Sequence, residues 1–394
     1  MSSSATAAAL RCAAPNRRIL LLTTSLDFGG AETVLVQLAR HLARRAWDVG
    51  VLSLLPVRAF RQELEDAGVP VSSLNLRPGW GGPASLWKLV SAVRAFHPAI
   101  LHAHMFHANF AARLAKPLLG CKVVCTIHST TEAGIRGQNA RLREFAYQLT
   151  NWLADANTAV SQAVRDRYHR AGIICGNALQ VVANGVDLDR FRRDPEERRQ
   201  VRAALGWQGR FVWLAIGRLA LAKNYPLLLA AFRQLRGLFP AAKLAIAGDG
   251  PLRAELQSLA AASALERDVD FLGTRADVPA LLNGCDAFVL ASDYEGSSVA
   301  LLEAGAAAKV AVATNVGAAS AAIQHHHTGF LCPPRNLDAL VGAMRAVMDL
   351  SAEQRETMGR LARAHIERHF ALDHTLGGYE RLYSQLLEPQ VRHA

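Results

Sequence analysis

Short apolar runs rich in β-branched residues alternate with amphipathic stretches of helical spacing along this 394-residue chain, and the alternation occurs twice. That alternation is the sequence form of a parallel sheet with crossover helices. In the first half, Arg18–Thr24 predicts a strand leading through Ser25–Gly30 into a helix whose Leu35, Leu38 and Leu42 recur at helical spacing. Val49–Leu54, Ala99–His102 and Lys122–His128 predict further strands, Leu86–Phe96 a helix, and Ser129–Gly137 a loop. The second half restarts with strand Phe211–Gly217, a helix from about Pro226 to Leu238, strand Lys243–Ala247 and a helix opening at Pro251, where proline suits the first turn. Strand Val269–Leu272, helix Val278–Asn283, strand Asp286–Ala291, helix Ser298–Ala308 and strand Val310–Thr314 follow. The expected fold class is α/β, with two doubly wound domains facing a central cleft at the carboxyl ends of their strands.

The charged stretch Asp189–Arg202 lies between the halves. The expected division is a loose leader at 1–18, domains at 19–188 and 189–370, and a carboxyl-terminal helix at 371–394. The last fifty or so residues promise helix and little chemistry. At 51% hydrophobic and 20% charged residues the chain can bury a sizeable core. Cys12, Cys121, Cys125, Cys175, Cys285 and Cys332 form no C-x-x-C pair, which fits reduced thiols in the cytoplasm. The Ala- and Ser-rich leader lacks the basic start and long apolar stretch of a signal peptide. No later segment offers about 18 uninterrupted apolar residues, so no membrane span is expected. The net charge of +11 is unevenly distributed, with 21 Lys and Arg against 12 Asp and Glu before residue 191. A basic first half suits an anionic lipid surface, a phosphorylated acceptor or nucleic acid, and also a plain solvated face.

Chemistry is expected in loops that follow strands. Gly29-Gly30, just before a helix, can turn backbone N–H groups and the helix dipole toward a phosphate or a sugar hydroxyl, or can simply make a tight turn. It is neither G-x-G-x-x-G nor a Walker loop, which argues against a dinucleotide or ATP site. Gly217-Arg218-Leu219 with Lys223-Asn224 sets two cations five positions apart, a pair able to clamp a diphosphate without metal or to lie solvated. Glu295 and Glu303 flank Gly296, Ser297 and Ser298 across a strand-to-helix turn, with seven residues between them. The helix start is an anion site, and Glu303, expected about two turns in, can accept from a ribose diol. Its neighbours are apolar, and a buried carboxylate needs a partner. Gly248-Asp-Gly-Pro251 reads most simply as a turn. His102, His104 and His107, and the run His325–His327, have metal-like spacing but no accompanying carboxylate or cysteine set. His128 closes a strand at the cleft and can meet a sugar hydroxyl or serve a structural role.

Taken in order, Gly29–Glu32, His102-Ala-His104, Thr126-Ile-His128, Ala159-Val-Ser161, Asn184–Asp187, Gly217-Arg218-Leu219, Lys223-Asn224, Gly248–Pro251, the Glu295–Glu303 pair and Thr328-Gly-Phe330 resemble a retaining GT-B glycosyltransferase. The resemblance is to the large bacterial polysaccharide and lipid-linked sugar transferase group, family 4-like, and covers roughly residues 19–370. Each motif is weak alone; the ordered set is specific. The resemblance implies two Rossmann-like domains, with a nucleotide-sugar donor held mainly by the second and an acceptor by the first. It implies that Arg218 and Lys223 hold the diphosphate, Glu303 the ribose and Glu295 the transferred sugar. Gly30, Gly217, Gly296, Ser297 and Ser298 would line the donor, and Gly29, His104 and His128 the acceptor, with Arg218, Lys223, Glu295 and His128 forming the catalytic set.

The implied activity is transfer of a hexosyl or N-acetylhexosaminyl group, UDP-linked on family frequency, to a saccharide or lipid-phosphate-linked acceptor in cell-surface polysaccharide synthesis. No cofactor, no metal and no nucleic-acid partner are expected. Peripheral attachment to an anionic membrane at its inner face is. Ala99, Lys309 and Ala321 depart from the family pattern at an Asp, a Gly-x-Pro and a Glu position. The alternatives are a sugar-nucleotide epimerase, an inverting GT-B enzyme, a non-catalytic nucleotide-sugar binding protein and an NAD-dependent enzyme, the last disfavoured by the missing G-x-G-x-x-G.

Overall fold

The structure, a computed structural model, describes residues 17–77, 82–131, 140–174 and 178–388. Cys12, Cys175, almost all of the expected leader, most of the loop Ser129–Gly137 and the end of the 371–394 segment lie outside the described residues.

The first domain runs β1 (Arg18–Thr23), α1 (Gly30–Arg44), β2 (Asp48–Ser53), α2 (Arg61–Asp66), β3 (Val71–Ser73), α3 (Gly82–Phe96), β4 (Ile100–His104), α4 (Phe106–Ala115), β5 (Lys122–Ile127), α5 (Ala140–Thr150), β6 (Ala156–Ala159), α6 (Gln162–Arg170) and β7 (Leu179–Val181). Its seven strands are parallel in the order β3-β2-β1-β4-β5-β6-β7. Side chains alternate across this sheet as a pleat requires. Ile19 and Leu21 face Leu35, Leu38 and Leu42 of α1, whereas Leu20 and Leu22 face Leu89 and Val93 of α3 and Ala108 of α4.

The second domain runs α7 (Pro195–Ala204), β8 (Phe211–Ile216), α8 (Tyr225–Leu238), β9 (Ala242–Ala247), α9 (Arg253–Ala262), β10 (Val269–Gly273), α10 (Val278–Gly284), β11 (Ala287–Leu290), α11 (Val299–Ala306), β12 (Ala311–Thr314), α12 (Ala319–Ala322), β13 (Gly329–Cys332), α13 (Leu337–Asp349), α14 (Ala352–Phe370) and α15 (Leu372–Leu387). Its six strands are parallel in the order β10-β9-β8-β11-β12-β13. In each sheet the order reverses beside its first strand, between β1 and β4 and between β8 and β11. Such switch points open a crevice at the carboxyl ends of the strands.

Four readings of the sequence change. The strand after Ala99 extends to His104, the helix after Pro251 begins at Arg253, and the helix after Ser298 ends at Ala306. The carboxyl-terminal segment is also more than a passive helix. The chain crosses between domains twice at one place, where Val186 N donates to Phe370 O (2.9 Å) and Leu372 N donates to Val186 O (3.0 Å). A side chain on Gly185 would come within 2.6 Å of Thr375 Oγ1 and 2.8 Å of Leu372 Cα, so the crossing needs glycine. Beyond it α15 returns to the first domain and packs Leu376, Tyr379, Leu382 and Tyr383 into the core of Ile19, Leu21 and α1.

Lys309 has a local explanation, whereas nothing in the structure explains the alanine side chain at 321. The Lys309 ammonium donates to the carbonyls of Asn283 (3.2 Å) and Cys285 (3.1 Å), a cation at the end of α10 where the helix dipole favours one. The Ala321 carbonyl accepts from His365 Nε2 (2.7 Å). Ala99 joins the parallel ladder, with its N–H on Arg18 O (2.8 Å) and its carbonyl taken by Lys122 N (2.9 Å), so its side chain has no part in that pairing.

The Tyr383 hydroxyl lies 2.6 Å from His102 Nδ1, both groups being fully buried. Tyr383→Phe strips His102 of that partner and should cost ~1–3 kcal/mol in urea unfolding, the penalty for a buried polar group left unsatisfied. A change within a few tenths would show that the contact contributes nothing.

Candidate active site in the interdomain cleft

Three loops at the two switch points build the site. The loop after β1 ends at Gly29, the extended N-cap of α1. A side chain on Gly30 would lie 3.3 Å from Val299 Cγ2, so the first residue of α1 abuts the first residue of α11 across the cleft. Two helix N-termini, each with unpaired N–H groups and a partial positive charge, therefore converge on one point.

The loop after β8 brings the cations. Gly217 has φ +151° and Gly248 φ +142°. A side chain on Gly248 would stand 2.1 Å from Gly217 O, and one on Gly250 would stand 2.5 Å from Leu219 O. Gly248–Gly250 is thus more than a simple turn into a helix: it is glycine so that the arginine loop can lie directly on it, fixed by Leu219 N on Asp249 O (3.0 Å). The Arg218 side chain is exposed and, among the described residues, makes no hydrogen bond or ion pair. Lys223 does the opposite. Its Nζ lies 2.5 Å from Glu295 Oε1, which also accepts from Ser292 Oγ (2.7 Å). Asn224, in the left-handed conformation (φ 44°), donates to Asp293 Oδ1 (2.8 Å) and caps α8 through Leu227 N (3.3 Å). Arg335 holds the other Asp293 oxygen (3.0 Å). The diphosphate and sugar candidates are joined through one ion pair, an arrangement sequence spacing could not reveal.

The loop after β11 forms the contact between domains. A side chain on Gly296 would sit 2.0 Å from His128 O. The Glu295 carbonyl accepts from Thr130 Oγ1 (2.8 Å), the Gly296 carbonyl from Ser161 Oγ (2.9 Å) and the Ser297 carbonyl from Asn184 Nδ2 (3.4 Å). Ser298 caps α11 by accepting from Leu301 N (3.4 Å). Glu303 is therefore the fifth residue of its helix, nearer one turn in than the two expected. It is half-buried, and burial pushes its carboxyl up to about 7 against a smaller opposing pull from Arg190.

On the first domain His102, His104 and His128 form a row, its first two members buried. His102 uses both ring nitrogens, on Tyr383 and on Thr126 Oγ1 (2.7 Å), and burial drives its pKa down to about 3. His104 is wholly buried, with Nδ1 3.0 Å from His128 Nε2 and with no partner for Nε2 among the described residues. The structure thus sets His104 behind His128, where it can orient that ring but is not itself open to an acceptor. His128 is half-exposed toward the cleft, and burial lowers it to about 4, so it is neutral at pH 7.

Glu32, quoted above only as part of a motif, is a further site group. It is 8% exposed, accepts from Ser25 Oγ (3.1 Å), and lies over Gly29, where a side chain would come within 2.4 Å of its Oε2. Burial pushes its carboxyl up to about 7, with the Arg218 charge pulling the other way across the cleft. The signal available in the sequence was a lone acidic residue in the first turn of a helix behind two glycines.

Two family models match the chain: Glycosyltransferase Family 4 over residues 28–190 and Glycosyl transferases group 1 over residues 197–365. Glycogen synthase of Mycobacterium tuberculosis is 30% identical over 269 residues, 66% of this chain and 63% of that protein. The UDP-Gal:alpha-D-GlcNAc-diphosphoundecaprenol alpha-1,3-galactosyltransferase of Escherichia coli is 26% identical over 277 residues, 67% of this chain and 69% of that protein. The structure of Anabaena HepE in complex with UDP-glucose superposes with TM-score 0.83 at 24% identity, over 93% of this chain and 99% of that one, a likeness of fold. The chain spans less than two thirds of the mycobacterial relative's length. With both domain models matched in order over a shared fold, the chain belongs to the GT-B glycosyltransferases, with a family 4 amino-terminal domain and a group 1 carboxyl-terminal domain.

Proposed function

We propose that this chain transfers a hexosyl or N-acetylhexosaminyl group from a UDP-sugar to a saccharide or lipid-phosphate-linked acceptor, with retention at the anomeric carbon. The observation that carries the reading is the convergence of the α1 and α11 N-termini beside Arg218 and the Lys223–Glu295 pair. Donor cleavage breaks the bond between C1 and the β-phosphate oxygen and builds negative charge on that phosphate. Helix N–H groups already oriented there, with Arg218 and Lys223, answer the charge without a metal ion. The new C1–O bond forms on the same face, and the acceptor's hydroxyl proton passes to the departing phosphate oxygen. Glu303 accepts from the ribose diol, Glu295 orients Lys223 and meets the transferred sugar, and His128 meets a sugar hydroxyl. The E. coli relative is named for a UDP-sugar donor and a diphosphoundecaprenol-linked acceptor, which supports the lipid-linked option and a membrane surface as partner.

Arg218→Ala and Lys223→Ala should each cost about 3 kcal/mol in kcat/KM for nucleotide-sugar turnover, the scale of a lost oxyanion donor, with EDTA leaving the wild type unchanged. Near-normal turnover in both variants would refute the charge assignment.

Titration of Glu303 gives a second test. Its carboxyl is raised from 4.5 to about 7, so the folded chain holds a proton there that the unfolded chain has lost, and its ionisation opposes folding as pH rises through that window. Ribose binding needs the carboxylate. UDP affinity, by calorimetry, should therefore rise from pH 6 to pH 8 more steeply in wild type than in Glu303→Gln, while the variant melts higher at pH 8. A variant that matches wild type in both would remove Glu303 from the site.

Orphaned N–H groups are rarer than orphaned acceptors, so the His104 proton belongs on Nδ1, donated to His128 Nε2, and neutral His128 carries its own proton on Nδ1. Long-range 15N–1H NMR should find His128 as the Nδ1–H tautomer in wild type and as Nε2–H in His104→Phe, with kcat reduced and UDP affinity kept. Finding Nε2–H in wild type would overturn the positioning role.

A further inference from the structure

Among the described residues, large apolar side chains left in water gather on one helix. Leu142 (66% exposed), Phe145 (54%), Leu149 (57%) and Trp152 (75%) follow one another along α5 and the 3-10 turn after it. At helical spacing they fall within roughly 80° of arc, one stripe. The opposite side of α5 is buried, with Tyr147 packed against Val164 and Tyr168 of α6. Trp152 Nε1 donates to Leu149 O (2.9 Å), so the polar edge of the indole is satisfied within its own chain while the ring stays in water.

Charge follows the same division. Helices α3 to α6 cover one face of the first sheet, and α1, α2 and α15 cover the other. The α3–α6 layer, with the 3-10 turn Lys116–Leu118, carries nine Lys and Arg against Glu144 and Asp166. One of the nine, Arg113, is buried. The opposite layer carries four against six. The basic excess of the first half is therefore concentrated on the face that bears the exposed stripe.

We propose that the α3–α6 face docks on an anionic phospholipid bilayer, with the Leu142–Trp152 stripe entering the headgroup–acyl boundary and the surrounding cations meeting phosphate. An exposed apolar stripe within a basic layer is the composition that lies flat on such a surface. The proposal rests on the lipid-linked reading of the acceptor, and the fold suits it: α5 follows the strand end that carries His128, so its first turn starts on the cleft side of the sheet. A second copy is a poorer occupant. Twofold pairing would set basic layer against basic layer.

The test is flotation of the intact chain with vesicles of phosphatidylcholine alone and of phosphatidylcholine mixed with phosphatidylglycerol. Wild type should float with the anionic vesicles only, and less so as salt rises. Changing Leu142, Phe145, Leu149 and Trp152 together to Ser should weaken binding more than about tenfold. Arg141→Glu should weaken it by about fivefold or more. Leu238→Ser with Leu361→Ser, at exposed apolar sites of the second domain (56% and 50%), should leave it unchanged. Thermal melting confirms that the variants fold. Wild type that ignores anionic vesicles, stripe variants that float as well as wild type, or stripe variants whose one change is dissociation of a dimer would each overturn the proposal. Nucleotide-sugar turnover with a soluble acceptor, measured on the same variants, reports on the transferase reading separately, because no stripe residue belongs to the cleft.

Discussion

Contact between the two domains is made by backbone pressed on backbone, and the site exists because glycines permit it. Gly296 lies against the His128 carbonyl with no room for a side chain, and Gly30 sits against the first residue of α11. Around them Thr130, Ser161 and Asn184 of the first domain bind three successive carbonyls of the loop Glu295–Ser297. Those bonds orient the start of α11 toward the start of α1. A dipole is useful only where it points, and a Cβ at Gly296 would push the two helix starts apart.

Behind this contact the protein invests buried polar groups instead of a uniform apolar core. His102, Thr126, Thr158 and Tyr379 share hydrogen bonds beneath His104 and His128, and Tyr383 closes the set. Satisfied networks of this kind hold side chains in one geometry, whereas a partly satisfied one destabilises its surroundings. The two tyrosines arrive on α15 after the chain has left the second domain. The first domain's histidine row is thus completed by the last helix, which ties its geometry to the domain crossing at Val186 and Leu372.

On the cation side, the Lys223–Glu295 pair turns two separately recognised residues into one unit, anchored by Ser292, Asn224 and Asp293. The Arg218 side chain is exposed and has no such partner among the described residues. The asymmetry gives the cleft one cation with fixed direction and one able to follow a ligand. The raised carboxyls of Glu32 and Glu303 share their largest cause, removal of the charged form from water, to which the Asp27 charge adds at Glu32.

Periodicity determined the layered α/β architecture and most strand positions, because burial on both faces of a parallel sheet imposes apolar runs that survive in one dimension. Short motifs located the loops after β1, β8 and β11 for a similar reason: glycine, proline and capping residues act locally. Helix ends were legible to within a few residues, as Arg253 and Ala306 show. Tertiary structure decided what lies more than one element away. It paired Lys223 with Glu295 across 72 positions and Tyr383 with His102 across 281, and gathered basic residues on one face of the first domain. A sequence states which groups are present and how far apart they lie along the chain. The order of strands in the two sheets and the packing of helices such as α15 against them bring distant groups within the few ångströms over which hydrogen bonds and ion pairs act.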